Sequence, residues 1–189
     1  MKQYLDILRE VYEDGVWKNN RTGIRTKSIS GAMFKHDMSK GFPILTSKQV
    51  FMRVAMVELE GFIKGVTSKK WFQERNCHIW DDWCNPQKVP YGNDEETKRK
   101  MKEEDDLGQI YGSVWSDFHD PYAFGGSRVG SRVNQFQNII DTLRTNPEDR
   151  RMLCMAWNPL VLDSQALPPC HFGFHVTVTE NKLNLFWFQ

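Results

Sequence analysis

Apolar residues recur at helical intervals at the start of the chain. Tyr4, Leu5, Leu8, Val11 and Tyr12 fall on one side of a helix over 3–14, with Gly15 as its stop. A polar loop follows, Asn19-Asn20-Arg21-Thr22-Gly23-Ile24-Arg25-Thr26. Ile29 to Phe34 then reads as a short strand interrupted by Gly31, and Lys40-Gly41-Phe42-Pro43 as a turn. Residues 50–63 are apolar nearly all round, which predicts a core helix with little wet surface. Glu58 and Glu60 interrupt it on sides about 200° apart. From Pro86 to Asp106 the chain is densely charged, as expected of a solvated insertion carrying one exposed helix. A second amphipathic helix is predicted over 132–145, ended by Asn146-Pro147. Met152 to Trp157 reads as an apolar strand, and Phe172, Phe174, Val176 and Val178 alternate as a half-buried one. Glu180-Asn181 turns the chain into the aromatic-rich strand Leu183 to Gln189.

Composition narrows the classes. A length of 189 residues suits one domain, 1–189. The 40% hydrophobic and 13% aromatic content excludes a disordered chain. No apolar run is long enough to span a membrane, and no secretory signal is visible at the start. A net charge of +1 gives no support for nucleic acid as the primary partner. Four scattered cysteines point to a reduced, cytoplasmic setting. Cys77, His78 and Cys84 fit no standard zinc spacing, so no metal is expected.

Several residues could carry chemistry. Leu167-Pro168-Pro169-Cys170-His171 sets a thiol after two prolines at the mouth of a strand, either a nucleophile or a buried structural cysteine. Neighbouring strand residues face opposite ways, so His171 is not the obvious partner of that thiol, and nothing selects among His36, His78, His119 and His175. Arg150-Arg151, Arg21 and Arg25 suit a phosphate, unless they are ordinary surface ion pairs with Glu148 and Asp149. Glu58 in an apolar helix should have a raised pKa, as an acid or base or as a bonded structural carboxylate. Trp80 and Trp83 flank Asp81-Asp82 and could stack on a planar molecule or simply fill the core.

In this order, the segments resemble the thymidylate synthase family. The likeness is carried by Asn20-Arg21-Thr22-Gly23, Gly41-Phe42-Pro43 with Thr46 and Lys48, Glu58-Leu59 with Phe62, and Ile79-Trp80-Asp81-Asp82-Trp83. It continues through Leu107-Gly108-Gln109-Ile110-Tyr111-Gly112, Trp115, Asp149-Arg150-Arg151, Ala156-Trp157-Asn158, Ala166-Leu167-Pro168-Pro169-Cys170-His171 and Gln189. The resemblance implies an α+β fold with a mixed sheet and packed helices, dimerising through the sheet face. It implies a methyltransferase that makes thymidylate from deoxyuridine monophosphate, with 5,10-methylenetetrahydrofolate as co-substrate. Cys170 would be the nucleophile and Glu58 the proton carrier. Arg21 and Gln189 would bind the nucleotide, with Arg150 and Arg151 reaching its phosphate from the other subunit of a homodimer. Lys48, Trp80 and Trp83 would lie along the folate.

The departures from the family pattern define the alternatives. A usual Thr-Gly-Thr-Gly-Thr loop is here Thr22-Gly23-Ile24-Arg25-Thr26, Phe51 stands where a histidine is common, and His175 replaces a usual glutamine. A usual Glu-Leu-Leu-Trp-Phe is here Glu58-Leu59-Glu60-Gly61-Phe62. Losing that indole and gaining Glu60 could admit water, which would suit a hydroxymethylase acting on dUMP or dCMP. The family pattern also continues beyond Gln189 with base- and sugar-reading segments. The chain is therefore expected to be continued in the natural gene, and the 189 residues alone to be inactive or a non-catalytic synthase-like protein.

Overall fold

Residues 1–20, 23–119 and 132–189 are described by the computed structural model of the chain, which divides into two units, Met1–Phe51 and Met52–Gln189. In the first unit, α1 (Lys2–Asp14) forms where the periodicity places it and is followed by β1 (Val16–Lys18) and β2 (Thr26–Ser28), paired antiparallel. The strand expected over 29–34 is absent; its place is taken by β2. The register explains the shift: Ser28 pairs with Val16, and before Val16 the chain is already the end of α1, so residues beyond Ser28 have no partner.

The second unit combines helices with a three-stranded antiparallel sheet, an α+β arrangement. The elements are α2 (Met52–Ile63), α3 (Lys69–Gln73), α4 (Glu95–Glu103), α5 (Tyr111–Ser116), α6 (Gln135–Thr145), β3 (Leu153–Met155), β4 (Gly173–Thr179) and β5 (Lys182–Phe188), in sheet order β3-β4-β5. The expected mixed sheet is seen, among the described residues, as antiparallel pairs. Glu180 and Asn181, at φ 51° and 58°, make the two-residue turn that joins β4 to β5.

Contrary to expectation, α2 is not wrapped in core. Only Gly61 and Phe62 are buried, with Val54 and Val57 packed alongside, whereas Met56, Leu59 and Ile63 are exposed. Positions 54, 57, 58, 61 and 62 trace a single stripe, and that stripe is the face that α3 and α5 cover. The charged segment does carry a surface helix. Asp94 caps α4 by accepting from the Thr97 N–H, while Met101 is buried beneath it. Lys69, only 1% exposed, donates through Nζ to the carbonyls of Met101 and Lys102 in the last turn of α4, and to that of Asp81.

Two side chains fix the sheet to the helices. Gln135 of α6 donates to the carbonyls of Val114 and Met155 and accepts from the Met155 N–H. Phe174 of β4 meets Trp115 and Phe136 edge-on. A close backbone approach lies between α2 and α5, where a Cβ on Gly112 would sit 1.7 Å from the Phe62 carbonyl oxygen. Gly112→Ala is therefore expected to destabilise the second unit by about 3 kcal/mol. A urea midpoint unchanged from the unsubstituted chain would contradict this.

Candidate active site

Cys170, Tyr111, Phe62 and Glu58 are gathered by the α2–α5 crossing. The ring of Tyr111 stacks on Phe62 with centroids 4.6 Å apart, and Trp80 packs edge-on to both. The Tyr111 hydroxyl then accepts the Cys170 backbone N–H at 3.0 Å. That bond satisfies a donor at the segment where Pro168 and Pro169 supply none. Cys77, Cys84 and Cys154 are buried, and Cys170 is the exposed cysteine, so the structural-cysteine reading fits the other three.

Glu58 lies one turn before Phe62, half-buried among apolar side chains. Burial raises its pKa above the ordinary 4.5, opposed in part by the nearby Trp80 indole. Trp80 Nε1 is itself buried without an acceptor in hydrogen-bond range among the described residues. Burial likewise raises the Tyr111 pKa; the Cys170 N–H opposes this, and the charges of Cys170 and Glu58 add to the rise. Tyr111 is thus placed to feel both groups, a role its position in Leu107–Gly112 could not reveal.

His171 also belongs here, against expectation. Regular strand begins only at Gly173, so the alternation that would separate neighbouring side chains does not apply to Cys170 and His171. Its ring centroid lies 5.9 Å from that of Tyr111, and its Nδ1 is 3.4 Å from Trp187 Nε1. The other histidines are engaged elsewhere: His36 with the Gly41 carbonyl, His78 with Asp81, His119 with the Asp117 carbonyl, and His175 with the Arg150 carbonyl.

The remaining candidates are dispersed. Gln189 follows the last residue of β5, and its side chain opposes the lowering of the His171 pKa by burial. Trp80 is 5% exposed, and Trp83 stands half-buried, edge-on to Tyr91. Arg150 lines a cleft with Glu148, His175, Phe186 and Phe188 on the sheet face opposite Phe174 and Trp187. Arg151 is exposed, 3.9 Å from Asp149, whereas Arg150 forms no ion pair among the described residues. Lys48 and Arg25 belong to the first unit, where Arg25 lies 5.2 Å from the Trp17 ring centroid. Arg21 lies outside the described residues.

Among known families, the model described as thymidylate synthase matches residues 2–189. No helix among the described residues is long and apolar enough to cross a membrane. The raised pKa of Glu58 makes a signed prediction. A carboxyl held above 4.5 in the folded state disfavours its charged form there, so its contribution to stability is lost as pH rises. Glu58→Gln should match the unsubstituted chain below pH 4.5, then become relatively more stable as pH rises through the folded pKa. Urea midpoints between pH 4 and 8, on the order of one reading per half unit, test this; a constant difference would refute it.

Proposed function

Because the chain belongs to the thymidylate synthase family, and so to a one-carbon transferase class, we propose that it methylates deoxyuridine monophosphate, with 5,10-methylenetetrahydrofolate as co-substrate. The observation that carries this reading is the joint placement of an exposed thiol and a desolvated carboxyl around one tyrosine hydroxyl. Cys170 Sγ adds to ring carbon 6 of the pyrimidine, which makes carbon 5 nucleophilic. Glu58, whose pKa is raised by burial, moves protons at the ring through water. The folate supplies the methylene carbon and the completing hydride. Trp83, half-buried with Tyr91 at its edge, supports an aromatic wall for that co-substrate. Gln189 contacts the nucleotide.

Completion by hydride rather than by water is supported by two features of α2. A Cβ at Gly61 would lie 2.4 Å from the Phe72 ring, so the space left by the missing indole is filled by Phe72. Glu60 turns to solvent and pairs with Lys64 at 2.5 Å. Neither feature supplies a water to the reacting carbon.

The arginines support a homodimer formed through the outer sheet face. Arg150 opens onto the face away from Cys170, beside the exposed Phe186 and Phe188, so Arg150 and Arg151 serve the phosphate of a partner's site.

Cys170→Ala should lower covalent capture of 5-fluorodeoxyuridylate in the presence of folate by about 10³-fold or more. Undiminished capture would remove Cys170 from the mechanism. For the shared site, mixing Arg150→Ala and Cys170→Ala chains should restore tritium release from 5-tritiated deoxyuridylate, since one hybrid site keeps both groups. Verified heterodimers that stay inactive would show that the arginines act in their own subunit.

A further inference from the structure

We propose that Trp187 is a positioning residue that holds His171 in a single tautomer, with the proton on Nε2. The register of the sheet sets Trp187 opposite Phe174, and the two rings lie parallel within 5° at 6.0 Å. Phe174 is itself 6% exposed and braced edge-on by Trp115, so the indole plane is held from below by the core. From there the indole Nε1 comes within 3.4 Å of His171 Nδ1, with the two rings 5.3 Å apart. An indole nitrogen can only donate, so in the neutral imidazole Nδ1 is the acceptor and Nε2 carries the hydrogen.

A further observation agrees with this assignment. Burial pushes the His171 pKa down, which keeps the ring neutral near neutral pH, while the Gln189 side chain pulls the other way. The titratable groups nearest His171 are Tyr111 of α5 and Cys170 of its own segment, with Glu58 of α2 acting on Tyr111.

The consequence is chemical. With Nδ1 occupied, His171 offers a hydrogen-bond donor beside Cys170 and is not the base that takes the thiol proton. This use of the tautomer rests on the reading of Cys170 as nucleophile; the tautomer itself does not.

The test is nitrogen-15 NMR of the histidine rings in the full chain, with His171 assigned by its loss in His171→Gln. His171 should show a protonated Nε2 and an unprotonated Nδ1 at neutral pH. In Trp187→Phe, which keeps an aromatic ring but removes the donor, it should become a mixture of tautomers, and its pKa should rise by about half to one pH unit. A protonated Nδ1 in the unsubstituted chain, or an unchanged tautomer in Trp187→Phe, overturns the proposal. Should that variant not fold, the Trp187 indole proton of the unsubstituted chain decides: its resonance must move with the titration of His171, and one that does not move also overturns it. These outcomes are independent of catalysis. A fixed tautomer in a chain that fails to capture 5-fluorodeoxyuridylate would fault the proposed reaction and leave the role of Trp187 standing.

Discussion

The close crossing of α2 and α5 at Gly112 is the constraint on which the site depends. Any side chain at that position would occupy the same space as the Phe62 carbonyl. The missing Cβ lets Tyr111, the preceding residue, lie flat on Phe62 and send its hydroxyl to the Cys170 N–H. Glu58 is brought in by the same contact, being one helical turn from Phe62 on the packed stripe of α2. The thiol segment, the carboxyl and the tyrosine therefore take their positions from one backbone-to-backbone approach. Such an approach tolerates little change, because packed interiors have no spare volume to absorb it.

The three-stranded sheet separates two sets of side chains. Its helix-covered face carries Phe174 and Trp187, and through Trp187 the imidazole of His171. Its other face carries His175 and Phe186, next to Phe188 and Arg150. The division follows from the period of two along β4 and β5: a one-residue slip in register would exchange Trp187 for Phe186 and unmake both faces together. Arg150 and the His171 imidazole thus lie on opposite sides of one layer.

Two departures from the usual family pattern have compensating partners. The indole missing at Gly61 is replaced in space by Phe72, a fully buried ring from the neighbouring helix α3. The charged segment is tied down by the buried ammonium of Lys69, which takes the last-turn carbonyls of α4 and the Asp81 carbonyl between Trp80 and Trp83. Burial lowers the Lys69 pKa, and nearby anionic groups oppose that shift. A lysine in this role supplies its donors where carbonyls at a helix end would otherwise be unsatisfied.

The sequence by itself determined the elements with strong local signals and the identities of the chemical groups. The helical periodicity of α1 and α6, the capped surface helix α4, the Glu180-Asn181 turn and the alternation of β4 are local properties of the backbone, and each is found in the structure. Cys170, Glu58 and the paired arginines were legible as residue types in suggestive settings, together with the family they resemble. Tertiary structure decided which face of α2 is covered, because an all-apolar helix carries no periodic mark to choose one. It also decided where β2 ends, since a strand needs a partner whose length is set elsewhere in the chain. Most of all, it decided the company of Cys170. Tyr111 lies 59 residues away in sequence and Trp187 is 16 residues from His171, and contacts at that separation come from packing, on which local pattern is silent.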